Sequence, residues 1–156
     1  MSLTDKVQLD MVAAMKAREV DRLSTLRMMK SALKNKEIDK RAPLTDGEAE
    51  QVLVTMVKQR RDSIEQFTRG NRMDLADKEA AEIPIIESYL PKVASEADIR
   101  GIVEAVITEM SAAGQRPTPR DMGSVMKGVQ AKVQATGLRA DGKQVSEQVK
   151  AALAGA

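Results

Sequence analysis

Residues 52–57, VLVTMV, are the stretch on which the fold turns. Taken alone, six apolar and β-branched residues in a row pass for a buried strand. Their surroundings argue otherwise. Thr45 and Glu48, three residues apart, form a capping box in which each side chain satisfies an orphan backbone N–H of the other. Beyond Val57 the chain is rich in Arg and Glu, and Val52, Leu53, Met56, Val57, Ile64 and Phe67 return at helical spacing. The segment predicts one long helix that ends near Gly70.

The same period runs outward in both directions. Leu3, Val7, Met11 and Ala14 mark a first helix behind Ser2 or Thr4 as N-cap, and Leu23, Leu26, Met29 and Leu33 a second, through about Lys40. A fourth runs from about Met73 to Tyr89, with a kink expected at Pro84, which lacks a donor and crowds the carbonyl four residues back. Pro91 ends the segment, and the domain boundary is placed between Leu90 and Ser95.

Three shorter helices follow. Ser95 caps the first, with Asp98 near its positive end and Ile99, Ile102, Val103, Val106, Ile107 and Met110 on one face; Gly114 is expected to close it in left-handed geometry. Thr118 caps the next, with Pro119 at the first helical position, Met122, Val125, Met126, Val129 and Val133 as its stripe and Gly137 as its terminator. Asp141 caps the last, whose inner face is Val145, Val149, Ala152 and Leu153. No segment reads as a strand and no internal repeat is visible. The expected architecture is all-α: about four helices in residues 1–91 and a small three-helix domain in residues 95–156.

Composition narrows the chemistry. Hydrophobic residues are 42% of the 156-residue chain but aromatics only 1%, so the core is aliphatic and draws on ten Met. Methionine fills irregular gaps but specifies packing loosely, so stability within about 5–15 kcal/mol is expected. With neither Cys nor His, a disulfide, a thiol nucleophile, a cysteine-held zinc site and the commonest general base are all ruled out. The N-terminal residues lack the basic start and apolar run of a signal peptide, and no run approaches the ~20 apolar residues of a membrane span, so a cytoplasmic location without membrane contact is expected. Net charge is +2, with 17 basic and 16 acidic residues in 1–94 and 8 and 7 in 95–156. Any nucleic-acid contact therefore depends on a few placed cations rather than bulk charge.

Residues 137–144, GLRADGKQ, come within one residue of a Walker A loop, with Gln144 where a Ser or Thr hydroxyl would hold Mg²⁺. A phosphate loop follows a strand, whereas here a helix precedes Gly137 and Asp141 would set a carboxylate where phosphates belong. A linker between two helices is the better reading. Arg139 and Lys143 nonetheless flank a helix N-terminus, which attracts anions. On the preceding helix, Arg120 and Lys127 are seven residues apart and share a face. Gly123 and Gly128, each costing about 1 kcal/mol in a helix relative to Ala, indicate either tight helix packing or close approach of a partner.

The stretches RMMKSALKNKEID at 27–39 and QRRDSIEQFTRGNRMDLADKEAAEIPIIESYLP at 59–91 resemble the YqeY-like family, as do MGSVMKGVQAKV at 122–133 and RADGKQVSEQVKAAL at 139–153. Its members are stand-alone relatives of the tail domain of GatB, a subunit of the tRNA-dependent amidotransferase. The similarity covers nearly the whole chain and implies a helical N-terminal part joined to a three-helix C-terminal part. In the amidotransferase this tail touches the tRNA elbow, while glutamine hydrolysis and acyl activation belong elsewhere. The resemblance thus implies an accessory RNA-binding role and no enzymatic activity, with no cofactor. Carried over by position, the RNA surface comprises Met122, Gly123, Lys127, Gly128 and Lys132 with Arg139, Asp141, Gly142 and Lys143, and Arg120 beside them. Leu138, between Gly137 and Arg139, and Pro84 depart from the family pattern.

Other charge clusters read as structural. Asp74, Asp77, Glu79 and Glu82 suggest a divalent-metal site, but Lys78 interrupts them and a solvated face with ion pairs is expected. Lys58, Arg60 and Arg61 are explained by Lys58–Asp62 and Arg61–Glu65 pairing at i,i+4. Phe67 and Tyr89 both occupy apolar positions, so bases cannot stack and RNA recognition would proceed by shape, through phosphates and 2′-hydroxyls. A few cations support binding of only about 10⁻⁴–10⁻⁶ M. Useful affinity then calls for a second surface, such as an aminoacyl-tRNA synthetase or amidotransferase subunit already holding the tRNA. The alternative is a protein-interaction module that docks a partner helix. A glutamine-dependent ligase is more remote, since no carboxylate or Lys stands in a catalytic constellation.

Overall fold

Four short polar side chains start four helices. Ser2, Thr45, Ser95 and Asp141 accept from the backbone N–H groups of Asp5, Glu48, Asp98 and Lys143 at 3.1, 3.3, 3.1 and 3.0 Å. Each removes one orphan donor from a helix N-terminus. The structure, a computed structural model, describes residues 1–155. Seven α-helices and one 3₁₀ turn account for its regular structure, and the all-α expectation is met. Two compact units meet in the chain between Leu90 and Pro91.

The N-terminal unit holds α1 (Leu3–Ala17), α2 (Val20–Lys40), α3 (Asp46–Arg69) and α4 (Met73–Glu87). Its core joins Val7, Leu26, Met29, Leu33, Leu53 and Ile86, all essentially inaccessible to solvent. The VLVTMV stretch is helical and lies wholly within α3, burying Leu53, Met56 and Val57. Ile64 and Phe67, expected in the core, are only half-buried, because the last turns of α3 run past the core. Leu3 N–H donates to the Asp46 carboxylate at 2.9 Å, which ties the start of α1 to the start of α3.

Helix ends here use a less common device. Arg18 and Arg41 close α1 and α2 in left-handed conformation, with φ 58° and 60°. Each cap N–H returns to carbonyls of the last turn, so the hydrogen bonds offset a conformation that usually falls to Gly. The fourth helix ends at Glu87, two residues before the expected Tyr89, and Pro84 lies inside it. Tyr89 instead donates its buried hydroxyl to the Asp10 carboxylate. Burial first, and that carboxylate second, push the phenol well above its ordinary range.

The clusters read as solvated faces resolve differently. Arg60 Nε donates to Glu82 at 2.8 Å, and the two residues are only 8% and 9% exposed. The Arg60 guanidinium also donates to the Met56 carbonyl at 3.3 Å. Glu82 is thus a buried strut between α3 and α4 rather than part of a solvated acidic face. Arg61 pairs with Glu87 at 3.0 Å instead of the expected Glu65, which pairs with Arg69; Asp74 pairs with Arg72 at 3.0 Å. Among the described residues no acidic cluster has the arrangement of a metal site.

The C-terminal unit is α5 (Glu96–Ala113), a 3₁₀ turn (Pro119–Asp121), α6 (Met122–Thr136) and α7 (Gly142–Ala154). Its core is nearly all valine and isoleucine: Ile99, Val103, Val125, Val129 and Val149 are fully buried. Gly114 ends α5 at φ 172°, extended backbone rather than the expected left-handed cap. Residues 119–121 wind as 3₁₀ before α6 begins, so the helix starts three residues later than expected; the Asp121 carboxylate accepts from Thr118 N–H at 2.8 Å. Gly137 closes α6 at φ 72°, as a left-handed glycine should.

Candidate nucleic-acid interface

Arg139 is the most constrained of the residues singled out in the sequence. Its N–H donates to the Lys92 carbonyl at 2.8 Å and its own carbonyl accepts from Ala94 N–H at 2.7 Å. These two bonds form an isolated parallel bridge with Val93, the one extended pairing among the described residues. The bridge holds the segment between α6 and α7 against residues 92–94. The Arg139 side chain is half-buried, and its Nε is buried with no hydrogen-bond acceptor among the described residues. No carboxylate pairs with it there. Backbone constraint and an unpaired guanidinium thus coincide at one residue.

Two residues later, Asp141 caps α7, and its side chain takes the Lys143 N–H. That carboxylate stands where a Walker A loop would hold phosphate, and the element before Gly137 is a helix. The resemblance to a nucleotide loop is therefore one of letters only. Gly142 and Lys143 are exposed in the first turn of α7. The 3₁₀ turn carrying exposed Arg120 touches both α6 and α7.

The remaining candidates separate by helix face. Gly123 and Lys127 are exposed on the side of α6 away from Val125, Val129 and Val133. Met122 turns to the core and packs there. Gly128 is a packing glycine: a Cβ at that position would meet Val106 Cγ1 at 3.0 Å. At Gly123 a Cβ would meet nothing within 4 Å, so that position is open. Lys132 leans toward α5 and pairs with Glu109 at 2.7 Å. The sequence-derived set therefore divides. Arg120, Lys127, Arg139 and Lys143 are unpaired by any carboxylate among the described residues, Gly123 and Gly142 are exposed, Lys132 is partly exposed but ion-paired, Asp141 serves as a cap, and Met122 and Gly128 serve packing inside the unit. The partner helix that explains Gly128 lies too far along the chain for its spacing to reveal.

The chain is similar in sequence to known proteins. One relative is named "Altered inheritance of mitochondria protein 41, mitochondrial", from Lachancea thermotolerans, 42% identical over 65% of this chain and 56% of its own length. Proteins of the same name from Kluyveromyces lactis and Eremothecium gossypii are 39% and 33% identical, over 65% and 74% of this chain and 56% and 66% of theirs. The chain thus spans little more than half the length of the first two. All three names say mitochondrial, which overturns the expected cytoplasmic location. No helix among the described residues is long and apolar enough to cross a membrane. The sequence pattern of the family described as Yqey-like protein matches residues 4–153, and the chain belongs to that family.

Proposed function

We propose that the chain is a non-catalytic helical module that recognises folded tRNA as an accessory to aminoacylation or amidation. The observation that carries this reading is Arg139. Its half-buried guanidinium has no carboxylate partner among the described residues, and with Nε enclosed it is the terminal N–H groups that would meet an anion with several acceptor oxygens. Lys143 in the first turn of α7 adds charge where the helix dipole already favours anions. Lys127 and Arg120 add further exposed cations. Both aromatic side chains lie in the N-terminal unit, Tyr89 buried and Phe67 half-buried, so recognition proceeds through phosphates and 2′-hydroxyls rather than stacking. The location adopted is the one in the relatives' names, the mitochondrion.

Titration of purified protein against total tRNA and an unstructured RNA of equal length, at two salt concentrations, tests the reading. Expected are preference for tRNA at about 10⁻⁴–10⁻⁶ M and a shallow salt slope, weakened by Arg139→Ala and by Lys127→Ala. Equal affinity for both RNAs, or unchanged binding by both variants, rejects it. Incubation with glutamine is expected to release no glutamate. A second reading, docking of a partner helix, is favoured by the open trough between α5 and α6, lined by Ala97, Gly101, Ala105 and Ala135. It gains if protein capture depends on the trough and RNA does not bind.

A further inference from the structure

The solvent ridge of α2 carries a run of like charge that folding does not use. Between Val20 and Arg41 the chain has seven basic residues against three acidic ones, although the whole molecule is nearly neutral at +2. Arg27, Lys30, Lys34 and Arg41 are all exposed and follow one another at three, four and seven residues. That spacing keeps Arg27, Lys30 and Lys34 together on one flank, about 100° round the helix from buried Leu26, Met29 and Leu33, and Arg41 follows at the C-cap.

Lys34 reaches Glu37 at 3.4 Å; Arg27, Lys30 and Arg41 pair with no carboxylate among the described residues. Arg27–Lys30 at i,i+3 and Lys30–Lys34 at i,i+4 are repulsive neighbours that destabilise the helix. Arg41 at the C-cap complements the helix dipole, but Arg27 and Lys30 lie too far inside the helix for that explanation. By contrast, Lys40 on the α3 side bonds Glu48 at 2.6 Å. Lys40 and Lys34 are thus answered by carboxylates, whereas among the described residues exposed Arg27, Lys30 and Arg41 are not.

We infer that this ridge is a second polyanion-contacting surface, and that its occupant is the phosphate backbone of structured RNA. The inference rests on the function proposed above and removes its weak point, since the C-terminal cations alone support only modest affinity. From Arg27 to the helix end at Lys40 the ridge runs about 20 Å at 1.5 Å per residue, with Arg41 just beyond, long enough to follow several phosphates of one strand. Two contact surfaces on one chain raise the effective concentration of the second once the first is bound. A membrane fits less well: the exposed large apolar side chains of α2, Val20, Met28 and Ile38, are eight and ten residues apart, and interfacial helices need a broad apolar face.

The test compares tRNA affinity and its salt dependence for the full chain and three variants. Arg27→Gln/Lys30→Gln/Arg41→Gln removes the unpaired ridge cations. Lys127→Gln/Arg139→Gln removes the C-terminal pair. Lys16→Gln/Lys58→Gln/Lys150→Gln removes equal charge elsewhere. The ridge variant is expected to bind about tenfold or more weakly, with a log–log salt slope reduced by about 2, while the third variant binds normally. Its thermal midpoint should be unchanged or higher, because repulsion is relieved. Normal binding by the ridge variant while the C-terminal variant is weakened overturns the ridge and leaves the proposed function standing. Equal loss in ridge and control variants overturns it in favour of bulk charge. No tRNA binding by the full chain removes both readings. If vesicles of phosphatidylserine and phosphatidylcholine bind through the ridge while tRNA does not, the surface belongs to lipid.

Discussion

The two units handle charge in opposite ways. In the N-terminal unit an arginine and a glutamate are drawn into the protein, where Arg60 and Glu82 join α3 to α4. In the C-terminal unit the buried core is Val, Ile, Leu and Ala, and the arginine that approaches it, Arg139, has no carboxylate partner among the described residues. A buried ion pair is a structural element because both charges are answered. A half-buried charge that is not answered invites a ligand. Burial alone does not separate structural from functional charges; the presence of a partner does.

The largest expected effect breaks the answered pair. Arg60→Met or Glu82→Leu alone should destabilise by about 3–5 kcal/mol, because each leaves the other charge buried and unmet, whereas the double variant should come close to the parent. Urea unfolding of all four proteins, with hydrogen exchange across α3 and α4, checks this. A double variant as unstable as the singles would mean the pair itself, not its desolvation, holds the helices together.

Glycines in the C-terminal unit sharpen the contrast between packing and open surface. Gly128→Leu should cost about 1–3 kcal/mol, because even a Cβ there meets Val106. Gly123→Ala, with open space around it, should gain about 0.5–1 kcal/mol through helix propensity. Thermal denaturation of the two variants gives opposite shifts if Gly123 faces solvent. In the N-terminal unit, Tyr89→Phe removes the bond to Asp10 and should cost about 1 kcal/mol.

The smallest effects come from the caps. The Lys40 ammonium, and then the Thr45 N–H, hold the Glu48 carboxyl at about 2. Its folded value lies below the unfolded one, so its contribution is present in full above the ordinary glutamate range and disappears as pH falls toward 2. Glu48→Gln should therefore lower the melting midpoint at pH 7 and leave it unchanged near pH 2. Asp98, lowered by the Ser95 N–H and then its hydroxyl, follows the same direction without an ammonium. Salt should weaken the Glu48 effect more than that of Asp98.

Local features were legible in advance. The Thr45–Glu48 box, the Ser95 and Asp141 caps and the end of α6 at Gly137 each depend on atoms within four residues of one another, and helical periodicity marked most of the valines and leucines that form the cores. Misreadings arose where a distant element intervened. Glu82 looked like one more surface carboxylate because Arg60, its partner, is twenty-two positions away. Gly114 does not adopt the left-handed closure that Gly137 does. Lys132, unlike Lys127, pairs with Glu109 on another helix, a contact its spacing does not reveal.

Spacing and capping chemistry determined that this chain is helical throughout, since a helix end is satisfied within its own neighbourhood and an amphipathic stripe within its own turns. Only the tertiary structure decided which charges are answered. A carboxylate reaches a guanidinium through the packing of two helices, and that packing brings together residues whose separation along the chain carries no trace of the meeting.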